Sequence, residues 1–159
     1  MPKVVSNTTP IISLLKISKI EILKDLYSEI IIPQAVFHEI EQGKNKAYYQ
    51  DLSMIKWIHI VKINDRNSIK FFYNLDAGEA EAIVLAKEIG AELLIIDEKS
   101  GRFYAKQTGL NITGTMGVLI KAKKVGFIKQ VKPLLIELTK KDVWISEVLI
   151  NEVCKLTDE

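Results

Sequence analysis

Four polar positions in this chain have the types and spacing of a site for a hard cation. They are Asn7 in VVSNTTP, Glu39 in VFHEI, Glu79 in LDAGEAEAI and Asp97 in LLIIDE. Asn7 and Asp97 each follow a short apolar run that reads as a buried parallel strand, and Glu39 and Glu79 fall in the first turns of predicted helices. In an open α/β sheet, ligands bind outside the carboxyl ends of the strands. Carboxylates gathered there repel: two charges about 4 Å apart cost about 4 kcal/mol at an effective dielectric of about 20. Raised pKa values or a divalent cation relieve that repulsion. Mg2+ and Mn2+ take carboxylate and water ligands and suit phosphate substrates. Convergence therefore implies metal-assisted hydrolysis of a phosphodiester. Glu39, Glu79 and Asp97 are the candidate catalytic acids, and Asn7 completes the candidate metal set.

Each position has a plainer alternative. Asn7 suits a turn after a strand. Glu39 has Glu41 as a competitor and could simply be a solvated helix residue. Glu79 completes a D-x-x-E capping pattern with Asp76. Glu81 points about 200° around the helix from Glu79, so one site cannot easily use both. Asp97 could cap the helix that follows it. Arg102 could bind phosphate or lie on the surface. Thr113 and Thr115, around Gly114, could position a ligand or cap a helix.

Net charge is only +2, but between Lys99 and Lys141 there are ten Lys or Arg and one acid, Glu137. Lys121, Lys123 and Lys124 are the candidate RNA contacts in that stretch, with solvated helix faces as the alternative. Other chemistries find little support. There is no G-x-x-x-x-G-K-[ST] or G-x-G-x-x-G motif, and no Ser or Cys sits in a nucleophile motif. His38 and His59 lack zinc-like spacing. Cys154 stands alone, so there is no disulfide framework, and it reads as an inert buried thiol.

The elements that must position these residues alternate. Lys3 to Ser6, Glu29 to Ile32, Trp57 to Ile63, Leu93 to Ile96 and Leu110 to Ile112 read as strands. Helices are predicted from a Thr8 or Thr9 cap, around Ile20 to Leu26, after Pro33, at Tyr48 to Met54, more weakly at Arg66 to Tyr73, after Asp76, and at Lys99 to Thr108. Three more are expected near Met116 to Lys124, Lys132 to Lys140 and Ser146 to Leu156. This βαβα alternation implies an α/β fold with a central parallel sheet between helices. At 159 residues, 48% apolar and 26% charged, one domain is expected over 1–159. No run approaches the ~20 apolar residues of a membrane helix and no signal peptide is recognisable, so a soluble cytoplasmic protein is expected.

The stretches VVSNTTPIISLLKI, IIIPQAVFHEI, LDAGEAEAIVLAKEIGAELLIIDEKSGRFYA and ITGTMGVLIKAKKVGFI resemble the PIN-domain family, in particular its VapC-like and uncharacterised nucleic-acid-binding branch. The resemblance runs from Val4 to about Ile128. It implies a PIN-like three-layer fold and an Mg2+- or Mn2+-dependent ribonuclease acting on RNA. It also implies a toxin held by an antitoxin protein, and a homodimer, the latter also suggested by the apolar early helices. The four family acids fall on Asn7, Glu39, Glu79 and Asp97, and the resemblance favours Glu79 over Glu81. The departure is Asn7: an amide oxygen can ligate a cation but carries no formal charge and cannot act as a base. The expected consequence is weakened metal binding, with a catalytically weakened RNA- or protein-binding module as the alternative function.

Overall fold

The structure, a computed structural model, describes residues 2–159. Five short strands form one parallel sheet: β1 (Val4–Ser6), β2 (Ile30–Pro33), β3 (Ile58–Val61), β4 (Leu93–Ile95) and β5 (Ile112–Thr113). Their order is β3-β2-β1-β4-β5, with every neighbouring pair parallel. The winding therefore reverses between β1 and β4. At such a switch point the connections leave in opposite directions and open a crevice beyond the strand ends. Register fixes what lines it: Ser6 pairs with Ile95 and Ile95 with Thr113, so Asn7, Ile96 and Gly114 leave the sheet side by side.

Eight helices cover the sheet: α1 (Thr8–Lys16), α2 (Glu21–Tyr27), α3 (Gln34–Glu41), α4 (Ala77–Glu88), α5 (Lys99–Gln107), α6 (Thr115–Lys124), α7 (Lys132–Lys140) and α8 (Glu147–Leu156). Alternation along the strands builds two cores. Val4, Ile30, Ile32, Ile58 and Ile95 face one layer with residues of α1, α2, α3, α6, α7 and α8. Val5, Leu94 and Ile96 face the other with Ala82, Ile83, Leu85 and Ala86 of α4 and Ala105 of α5. Strands apolar on both faces are what a doubly covered parallel sheet requires. α4 ends at Gly90 (φ 61°) and α5 at Gly109 (φ 80°), both in the left-handed region where glycine carries no Cβ penalty.

Several expectations need correction. Tyr48 to Met54 is not a helix: only a 3-10 turn at Leu52–Met54 forms, capped by Asp51 accepting from the Ser53 N–H. Leu52 is buried, Tyr48 and Tyr49 pack partly buried against the same core, and Met54 is exposed, so these contacts do not make a helical stripe. The weaker helix near Arg66 is likewise 3-10. The first helix is capped at Asn7 rather than Thr8 or Thr9. Glu39 lies in the second turn of α3, not its first. Finally, Ile11, Leu14, Ile22 and Leu23 of the early helices are buried in this chain's own core, which removes the ground on which they suggested a dimer. Among the described residues, no helix is long and apolar enough to cross a membrane.

Candidate active site

Three helix N-termini meet at the β1/β4 crevice, and their N-cap residues are Asn7 (α1), Asp76 (α4) and Glu98 (α5). Only Asp76 caps its own helix, accepting from the Glu79 N–H at 2.8 Å. The Asn7 and Glu98 side chains make no such bond and bond across the gap instead: Asn7 Nδ2 donates to Glu98 Oε2 at 3.2 Å. The Thr9 hydroxyl donates to the other Glu98 oxygen. Asn7 is 1% exposed, and its Oδ1 is buried with no hydrogen-bond partner. A buried acceptor left unmade costs about 1–3 kcal/mol, so something outside the chain is the natural partner for that oxygen.

Glu39 reaches the same end of the sheet from α3. The Thr8 hydroxyl lies 3.3 Å from both its oxygens. Its carboxylate rests on the first turn of α4, where a Cβ on Gly78 would stand 2.3 and 2.5 Å from the two oxygens. Glycine is required at 78 to let the acid approach. Glu41 is elsewhere: its carboxylate accepts from the Tyr49 hydroxyl and lies 3.8 Å from Lys44 Nζ. Glu79 is 7% exposed and packs under α5, where a Cβ on Gly101 would lie 3.0 Å from Glu79 Oε2. Glu81, on the same helix, turns away, accepting from the Ala35 N–H and from Arg66, each at 3.2 Å.

Burial raises the Glu39 carboxyl to about 7, with the Asp76 charge adding to it; hydrogen bonds from Thr8 and Gly78 oppose the shift and the Glu98 charge reinforces it. Glu79 is raised to about 8, first by burial and then by a side-chain hydrogen bond to Asp76 that exists only while Glu79 is protonated. The charges of Asp76 and Glu98 push in the same direction. At neutral pH the cluster is thus short of counter-charge, and an approaching cation would release its protons.

Asp97 stands apart. One oxygen accepts from the Thr115 N–H at 2.7 Å and the other from the Thr115 hydroxyl at 2.6 Å. It holds the first turn of α6, and a Cβ on Gly114 would lie 2.6 Å from Asp97 Oδ1. The charges acting on Glu39 and Glu79 are those of Asp76 and Glu98. Arg102 Nη1 donates to the Ile96 carbonyl at 3.0 Å, bracing the loop after β4. Thr113 lies at the end of β5 under Gly117.

The basic residues are not brought to the acids. Lys121, Lys123 and Lys124 occupy the last turn of α6, whose first turn faces Asp97; at 1.5 Å per residue that is about 9–14 Å away along the helix. Lys121 lies 4.7 Å over the Tyr27 ring, and Lys123 bonds to the Thr157 carbonyl and to Glu159.

Sequence reasoning missed Asp76 and Glu98 as members of the cluster. Asp76 reads only as a cap, and Glu98 is overshadowed by its neighbour in LLIIDE. For Glu98 the available signal was that a cap residue just past a strand's carboxyl end also faces the crevice; Asp76 follows a 3-10 segment and carries no such signal.

The DUF3368 family model, a PIN domain, matches residues 3–159. This chain belongs to the PIN-domain family. No curated protein matches it significantly. The PIN domain is a nuclease-like module, and members generally use divalent metals and engage nucleic acid. The parallel sheet between two helical layers is the fold expected of it. Its donor set also fits a hard cation: the unpartnered Asn7 Oδ1 and the crowded carboxyls of Glu39, Asp76, Glu79 and Glu98 are all oxygens. Among the described residues no three acids close on a common point. Mg2+ commonly keeps several waters of its own when protein oxygens bind it.

Proposed function

We propose that this PIN domain hydrolyses phosphodiester bonds in RNA with Mg2+ or Mn2+ held at the β1/β4 crevice. The observation that supports it most is the unpartnered, buried Asn7 Oδ1 in a cluster where Glu39 and Glu79 are raised to about 7 and 8. Asn7, Glu39, Glu79 and Asp76 would hold the ion, which when bound would activate water and neutralise charge developing on the phosphodiester. Glu39, half-buried and titrating near neutrality, is suited to accept the proton of the attacking water. Asp97 fixes the N-terminus of α6 and Arg102 the loop after β4, so both would hold the crevice in shape. Lys124 and Lys121 would contact RNA only away from the cleaved bond.

The test is cleavage of a single-stranded RNA with Mn2+ against EDTA, in wild type and Glu39→Gln. Activity should require the metal and fall by about 100-fold or more in the variant. Equal cleavage in EDTA would remove the proposal. A weakened enzyme is the second reading, favoured by the Asn7 amide donating to Glu98 where a carboxylate would add charge for the cation. The finer reading, a toxin restrained by an antitoxin, rests on the VapC-like resemblance; a small protein co-purifying at fixed stoichiometry and blocking cleavage would support it.

A further inference from the structure

A groove of about 260 Å3 opens between α1, the start of α6 and the segment joining α7 to α8, lined by Thr9, Asp97, Thr115, Met116, Trp144 and Leu149 among others. It shares a wall with the crevice: Thr9 bonds Glu98, and Thr115 bonds Asp97. Trp144, which also lines the groove, is 86% exposed. An indole displayed to solvent forgoes about 1.5–3 kcal/mol of burial, so core packing does not explain it.

Resting on the reading of the crevice as a phosphodiesterase site, we propose that this groove receives one unpaired base of a single-stranded RNA, stacked on Trp144, next to the bond being cut. The lining carries no Lys or Arg, so it suits an uncharged ring rather than a phosphate. Its only charge, Asp97, has both oxygens engaged by Thr115. Its volume lies below the ~300–1,000 Å3 of drug-sized ligand pockets, which fits one ring rather than a peptide or helix. Ser13 supplies a hydroxyl at the groove, and Met116 and Leu149 supply apolar contact. Aromatic stacking is tolerant of base identity, so Trp144 selects unpaired over paired RNA more than one sequence over another.

The test is the equilibrium affinity of a labelled single-stranded decamer and of the same sequence as a duplex. Wild type, Trp144→Ala and Trp144→Phe are compared, each with Mg2+ and with EDTA. Trp144→Ala should weaken single-strand binding about tenfold, leave the duplex unchanged, and be largely rescued by Trp144→Phe. Unchanged single-strand affinity in Trp144→Ala, or equal weakening for the duplex, overturns the inference. If Trp144→Ala instead changes only the sedimentation mass, the groove is a protein interface and the inference is likewise overturned; both results leave the cleavage proposal standing. If wild type binds neither RNA in either buffer, the cleavage proposal fails as well.

Discussion

Asn7 donates its amide to Glu98 at 3.2 Å while its own carbonyl oxygen is buried without a partner. The two halves of this side chain therefore do different work. The amide nitrogen relieves a carboxylate that would otherwise face more negative charge, and the oxygen is left for a ligand. With an acid at position 7, the hydrogen bond would become a contact between two carboxylates. In the absence of metal, Asn7→Asp should lower stability by about 1–3 kcal/mol, a fall of about 3–10 °C in Tm for a chain of this size. Mn2+ should restore more of that loss than it adds to wild type. Calorimetry in EDTA and in Mn2+ measures both, and an unshifted Tm in EDTA would show that the Glu98 contact is unimportant.

Gly78 separates folding from metal binding. Glycine inside a helix is about 0.8–1 kcal/mol worse than alanine, so Gly78→Ala gains helix propensity. Its Cβ, however, would fall 2.3 Å from a Glu39 oxygen, and the carboxylate at the end of a flexible side chain has to swing away. The variant should keep or slightly raise Tm yet lose about tenfold in Mn2+ affinity by isothermal titration. Wild-type affinity in Gly78→Ala would mean that the Glu39 position is irrelevant to the ion.

The pH dependence has a definite sign. Glu39 and Glu79 have folded values near 7 and 8, above the ordinary carboxyl value of 4.5. The folded state then holds more protons than the unfolded state between those limits, so stability is full below about 4.5 and falls as pH rises towards 8. Tm should decline from pH 5 to pH 8 in EDTA and flatten with Mn2+. A Tm that rises over this window would contradict the crowded cluster.

Asp97 offers a distinction between anchoring and ligation. Asp97→Asn keeps an oxygen for one Thr115 bond, whereas Asp97→Ala removes both. Loss of such a cap costs about 1–2 kcal/mol, and hydrogen exchange should quicken in the first turn of α6. Mn2+ affinity should stay within about threefold in Asp97→Asn, since both Asp97 oxygens are already engaged by Thr115. Abolished affinity would make Asp97 a ligand.

Much of this was legible in the sequence because local signals agreed with the fold. The apolar runs ending at Ser6 and Ile95 became the two strands flanking the switch point, and the D-x-x-E pattern became the Asp76 cap with Glu79 behind it. The misses come from partners far away in the chain. Nothing local reveals that Thr8 and Thr9 would serve Glu39 and Glu98, residues 31 and 89 positions away, instead of capping α1. Asp97 was read from its strand-end position, but its environment is set by Thr115, eighteen residues on. Tyr48 to Met54 has apolar residues at helical spacing, yet it is held by the buried Leu52 and by Asp51 turning back to Ser53.

The most direct test of the central claim is the rate of single-stranded RNA cleavage against Mn2+ concentration, for wild type and Asn7→Asp side by side. The prediction is metal-dependent cleavage in both, with the variant saturating at lower Mn2+ and turning over about tenfold faster, because a charged ligand replaces a neutral oxygen. Identical metal curves for the two proteins, or cleavage that persists in EDTA, would contradict it.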